Sequence, residues 1–177
     1  VWPILTYPKC TPSELNHYVI KAIRDMRRVT GIKTKTRVKV DAHGGYGSTL
    51  IENLSLNRED NVEVIPIYSN AKSSNKEYKN YGTEMWFEFE KLINQVELPN
   101  DQWLIEELSS REWESSDMTA MTMESKTKLK ERMGRSPDRA DACVLSFATG
   151  PRRVFSRGEE AIEDGAIADF EVEWDSH

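Results

Sequence analysis

The chain has 177 residues, 31 % of them charged and 38 % hydrophobic, which fits one fairly polar domain with a core of ordinary size. Its formal net charge of -6, taken as one number, counts against a nucleic-acid partner. Composition excludes further classes: no apolar run approaches the ~18–20 residues that span a bilayer, no charged-then-apolar signal opens the sequence, no Gly-x-x-x-x-Gly-Lys-Ser/Thr loop is present, and Cys10 and Cys143 are too few for a disulfide framework or a thiolate zinc site, as expected of a reducing cytoplasm.

Residues 2–7 read as a strand. A helix follows, with Thr11 as cap, Pro12 at the first helical position and Glu14 completing a capping box. Leu15, Val19, Ile23 and Met26 recur at helical spacing, and Gly31 ends the pattern. Residues 36–41 alternate as a strand that stops at Asp41, before a glycine-rich turn with His43, Gly44, Gly45 and Gly47. A short helix is expected over 48–56, an apolar strand over 62–68, a longer helix over 76–95 and another short one over 101–108. Residues 111–113 and 120–123 suit a hairpin, and 136–147 a closing helix capped by Ser136 with Pro137 at its first position. The alternation predicts an α/β fold, a central mixed sheet flanked by helices, with the hairpin added before the closing helix.

The charge is unevenly spread. Eight acids and no Lys or Arg fall in residues 158–177, which leaves 24 bases against 22 acids in residues 1–157. The division is therefore a slightly basic domain, 1–157, and an acidic tail, 158–177, expected to be loosely ordered or partner-dependent. The tail carries Phe170 and Trp174, and is expected either to dock on another packaging component or to fold back over the basic surface when DNA is absent.

Two carboxylate positions stand out. Asp41 ends a strand before glycines that let backbone approach a ligand closely, where open α/β sheets place their ligands; on spacing alone, capping the turn ranks first. Asp138 and Asp141 share one face at the start of a helix that is otherwise small or apolar, so their charges must meet cations, donors or a metal. The helix dipole accounts for Asp138 more readily than for Asp141. Just before them come Lys126, Lys128, Lys130, Arg132 and Arg135, either a solvated face or a phosphate-binding one.

The order of these motifs, from Val40-Asp41 and its glycine turn through Tyr81-Gly82-Thr83-Glu84-Met85-Trp86 to Glu124-Ser125-Lys126 and Leu129-Lys130-x-Arg132-x-Gly134-x-Ser136-Pro137-Asp138-x-Ala140-Asp141-Ala142, resembles the C-terminal nuclease domain of the large terminase subunit of tailed bacteriophages. The likeness runs from about residue 12 to about residue 150. It implies the RNase H-like fold and a metal-dependent endonuclease that cuts concatemeric DNA during genome packaging. Asp41 matches the family's second metal-binding carboxylate, and Asp138 and Asp141 the helix that supplies the last. Two Mg2+ or Mn2+ ions would lie ~3.5–4 Å apart and drive phosphodiester hydrolysis. Lys126, Lys128, Lys130, Arg132 and Arg135 would contact double-stranded DNA, and His43, Gly44, Gly45 and Gly47 would form the turn near the site.

The implied partners are an ATPase domain upstream in the same polypeptide, the small terminase subunit and the portal, in the cytoplasm of the infected host and away from membranes. The family's first catalytic aspartate belongs on an earlier strand, and no Asp precedes Asp25, which falls mid-helix. The first strands are therefore expected to be missing, and these residues alone to cleave DNA weakly or not at all. The alternatives are another RNase H-like nuclease, such as a junction resolvase, or a catalytically degenerate module that binds DNA or a partner.

Overall fold

The computed structural model describes residues 3–32, 34–56, 61–115 and 120–149. Helix α1, Pro12–Thr30, begins with the expected box: Glu14 N–H donates to Thr11 Oγ1 at 3.3 Å and Thr11 N–H to the Glu14 carboxylate at 2.7 Å. It ends at Gly31, whose positive φ of 69° suits glycine. Strand β1, Thr36–Asp41, helix α2, Gly44–Leu56, and strand β2, Val62–Ile67, form a βαβ unit. The strands run parallel, in register from Thr36 opposite Val62 to Asp41 opposite Ile67.

Strand alternation sorts the core into two layers. Val38, Val40, Val62 and Val64 pack against Ile20 and Ile23 of α1 and Leu50 and Leu54 of α2. On the other side, Ile65 and Ile67 pack against Tyr81, Met85 and Phe89 of helix α3, Tyr81–Leu92, and Val144 of helix α6, Asp138–Phe147. The same face of β1 carries Arg37, Lys39 and Asp41 instead of apolar groups. Lys39 Nζ donates across it to the Ser146 carbonyl at 2.7 Å, tying β1 to the end of α6.

Between these lie a single 3-10 turn, Ile93–Gln95, helix α4, Gln102–Ser110, the two-residue strands β3, Trp113–Glu114, and β4, Thr122–Met123, and helix α5, Lys126–Met133. Strands β3 and β4 pair antiparallel as the expected hairpin, and a lone parallel bridge joins Tyr78 to Met121. The class is mixed α/β. Among the described residues its strands form two separate two-stranded sheets.

Several local expectations change. Residues 3–7 form no strand; instead the Tyr7 ring stacks on Tyr18 of α1 at 4.1 Å. The glycine run is not a turn but the first turn of α2, and a Cβ on Gly47 would come within 2.0 Å of the Asp41 carbonyl. Glycine there is what lets the helix start press against the strand end. The helix expected from residue 76 begins at Tyr81, because Asn80 Oδ1 accepts the Thr83 N–H at 2.8 Å and caps it. Residues 126–133, read only as a basic run, are helical: Ser125 caps α5, Gly134 closes it at φ 73°, and Leu129 anchors it with no exposure. The acidic tail, 158–177, lies outside the described residues. Among those described, no helix is long and apolar enough to cross a membrane.

Candidate functional site

The start of α6 is built from a distance. Ser136 does not cap it; its hydroxyl donates to Asp138 Oδ1 at 2.7 Å. The helix N–H groups of Arg139 and Ala140 both donate to Glu107 Oε2 of α4, each at 2.9 Å. Glu107 is 1 % exposed, and its other oxygen bonds the Arg135 guanidinium. A carboxylate at a helix N-terminus satisfies otherwise orphaned N–H groups and complements the dipole, which makes this buried charge tolerable. Arg139 in turn reaches Asp101, the residue that caps α4, and the Arg135 guanidinium lies over the Trp103 ring at 4.3 Å.

On this platform Asp138 and Asp141 share one ammonium. Lys126 Nζ lies 3.1 Å from Asp138 Oδ1 and 2.9 Å from Asp141 Oδ2. Asp141 is the more enclosed, with its side chain 28 % exposed against 73 % for Asp138. Its second oxygen accepts from Arg111 at 2.8 Å. Arg111 also donates to the Glu124 carbonyl at 3.2 and 3.0 Å and covers the Trp86 ring.

The charges are mutually reinforcing. Burial works to raise the Asp138 pKa, but the Ser136 hydroxyl and the Lys126 ammonium outweigh it, and the carboxyl stays below its ordinary value. Burial likewise works to lower the Lys126 pKa, and Asp141 and Asp138 raise it. Asp138 is therefore anionic and Lys126 cationic at neutral pH.

Asp41 does what such a residue commonly does at a strand end: its Oδ1 accepts the His43 N–H at 3.0 Å. It does not join Asp138 and Asp141 in a metal-holding group. Among the described residues, no three His, Cys, Asp or Glu side chains converge in that way. Two carboxylates are a hard oxygen donor set that suits one Mg2+ or Mn2+ ion, which completes its shell with water and phosphate. Asp138 and Asp141 do converge on one point, where both meet the Lys126 ammonium.

The basic run is mostly engaged. Besides Lys126, Lys128 meets Glu114 at 3.0 Å, Arg132 meets Glu124 at 2.6 Å, and Arg135 meets Glu106 at 2.7 Å. Lys130 is exposed and forms no ion pair among the described residues. Lys126, Lys128, Arg132 and Arg135 are thus partners of this chain's own acids before they are partners of anything else.

The sequence assigns no role to Glu107 or Arg111, and Glu124 stands in the quoted motif without one. Glu107 left one usable signal, a charge between Leu104 and Leu108 on the buried stripe of α4. Arg111 left none, since Asp141 is thirty residues away. No family model matches the chain, and no curated protein matches it.

Proposed function

We propose that the chain is a divalent-cation-dependent endodeoxyribonuclease unit with an RNase H-like core, of the kind found in the large terminase subunit, acting on concatemeric duplex DNA during packaging. The observation that supports this is the convergence of Asp138 and Asp141 on one cation position at the start of α6. A βαβ unit whose first strand ends in an aspartate, against the face where α6 packs, agrees with it.

In this reading Asp141 and Asp138 hold the ion, and Asp41 is the further carboxylate assigned by resemblance. A bound Mg2+ or Mn2+ supplies Lewis acidity toward a phosphate oxygen and a more acidic water. The chain's own residues do the rest. Arg111 orients Asp141 through one nitrogen while the other two grip the Glu124 carbonyl. Lys126 leaves the carboxylate pair and is then free to meet a phosphate, and Lys130 offers a charge with no ion pair to break among the described residues. Double-stranded DNA, an ATPase domain, a small terminase subunit and a portal are the partners that follow, in the cytoplasm of an infected bacterium.

A second reading has its own support. Lys126 and Arg111 already neutralise both carboxylates, as they would in a docking module where the acids only brace α6. Mn2+ titration of the full chain, followed by electron paramagnetic resonance, separates the two. Binding that is lost in Asp141→Asn and weakened in Asp138→Asn, at unchanged thermal stability, is expected. Mn2+ binding indifferent to both substitutions would sink the metal assignment. Cleavage of linear duplex in preference to four-way junctions distinguishes the terminase reading from a resolvase.

A further inference from the structure

Helix α1 carries charge that neither its packing nor the candidate site uses. Ile20 and Ile23 hold it on the sheet. On its far side His17, Lys21, Arg24 and Arg28 are all exposed, at spacings of four, three and four residues, so they form one row along the helix. At 1.5 Å per residue the row is ~16 Å long.

The row is rich in cations relative to acids. Asp25 serves two of its members at once, Lys21 and, at 3.4 Å, Arg28. From Lys21 to Lys39 the sequence holds eight bases and this single acid. Arg27 donates to Thr36 Oγ1 at 3.1 Å and to the Asn61 carbonyl at 2.8 Å, which ties the end of α1 to the starts of both parallel strands. Lys35, next to Thr36, therefore stands at the same end as Arg28, and it shares its carboxylate, Glu63, with Arg37. Helix α2 brings one exposed acid, Glu52, to this layer.

The layer decides what the row can serve. Helices α1 and α2 cover the Val38 and Val40 face of the sheet, whereas α3 and α6 cover the other. The row thus points away from Asp138 and Asp141, and an anion held on it is not the one held at the start of α6.

Its composition favours one kind of partner. A protein interface is built around an apolar core, and the row has no apolar member. A nucleic-acid backbone is met by Lys and Arg alone, and the guanidinium fork matches phosphate oxygens. Cations repeated evenly along ~16 Å of helix suit a polymer of evenly repeated charge.

We propose that Lys21, Arg24 and Arg28 on the outer row of α1 bind the phosphate backbone of a second stretch of duplex DNA, on the side of the sheet opposite Asp138 and Asp141. The proposal does not rest on the nuclease reading, because the row needs neither metal nor hydrolysis.

Fluorescence anisotropy of the full chain with a labelled duplex tests it, in EDTA and from low to moderate salt. Lys21→Ala/Arg24→Ala/Arg28→Ala should reduce the salt slope by about two to three units, alike on every sequence. Asp25→Asn, which removes the acid beside the row, should tighten binding by about twofold to fivefold at low salt. Lys130→Ala lies on the other layer, and its effect should add to that of the triple substitution. A Lys130→Ala without effect removes α5 from the DNA path and leaves α1 in it, so the two failures are distinct. A salt slope unchanged in the triple variant overturns the proposal, and so does Asp25→Asn binding no tighter than the wild type. Displacement of the label by polyglutamate as readily as by unlabelled duplex also overturns it, since the row would then read acidic protein.

Discussion

The Arg111 guanidinium holds Asp141 Oδ1 at 2.8 Å with one nitrogen and the Glu124 carbonyl with the other two. A single side chain thereby joins the hairpin, the approach to α5 and the first turns of α6. At 11 % exposure the contact is largely out of water, so removing the arginine leaves a carboxylate and a carbonyl without their donors. Arg111→Ala should lower stability by about 2–4 kcal/mol, and Arg111→Lys, which keeps charge but not the fork, by about half as much. Urea unfolding of the full chain measures both. A midpoint unchanged in Arg111→Ala would show that the three elements are joined by something else.

Glu106 and Glu107 are adjacent and both meet Arg135, yet they should behave differently. Glu107 is 1 % exposed and also caps two N–H groups of α6. Glu106 makes one ion pair with its side chain 56 % exposed. Glu107→Ala should cost about 3–5 kcal/mol, whereas Glu106→Ala should stay within ~1 kcal/mol. Equal losses would contradict the capping role of Glu107.

Acid sensitivity should trace to Glu124. The Arg132 hydrogen bond, aided by the Glu112 N–H and the nearby Arg111, holds its pKa below the ordinary 4.5, although burial works the other way. A depressed folded-state value means stability that is fully present above the unfolded value and lost as pH falls through the folded one. Glu124→Gln should therefore lower stability at neutral pH and flatten the decline below about pH 4.5. A decline as steep as that of the wild type, followed by thermal unfolding from pH 7 to pH 3, would remove Glu124 from the account.

What the sequence reveals and what it hides divide by contact range. Thr11 and Glu14 are three residues apart, so the start of α1 is legible by eye, and Val38 and Val40 alternate clearly enough to place β1. The cap of α6 is hidden, because Glu107 reaches it across thirty-odd residues while Ser136 and Pro137 advertise a local cap that the structure does not use. Helix α5 is hidden because one buried residue, Leu129, among five charges leaves almost no periodic signal. The glycines after Asp41 signal close approach but not its form, which is a helix start packed on the strand end. The shared ammonium of Asp138 and Asp141 was foreseeable as a need for compensation, while its donor was not.

Lys126 and a divalent ion compete for one place if Asp138 and Asp141 bind metal. Lys126→Met removes the competitor and leaves two carboxylates facing each other without it. Mn2+ affinity should rise, by about tenfold for each ~1.4 kcal/mol of attraction that the ion no longer has to displace. Stability without metal should fall and recover as Mn2+ is added. An affinity that drops in Lys126→Met would mean that the lysine supports the metal position and does not fill it.

Engagement by the chain's own acids also ranks the basic residues as DNA contacts. Lys128 must give up Glu114 before it can meet a phosphate, whereas Lys130 has no ion pair to give up among the described residues. Under the nuclease reading, Lys130→Ala should reduce the salt slope of duplex binding by about one unit and weaken every sequence alike. Lys128→Ala should change it less, because freeing Glu114 adds an exposed negative charge but removes a cation that was already compensated. Binding measured between low and moderate salt decides the order, and a slope untouched by Lys130→Ala would place the DNA path away from α5.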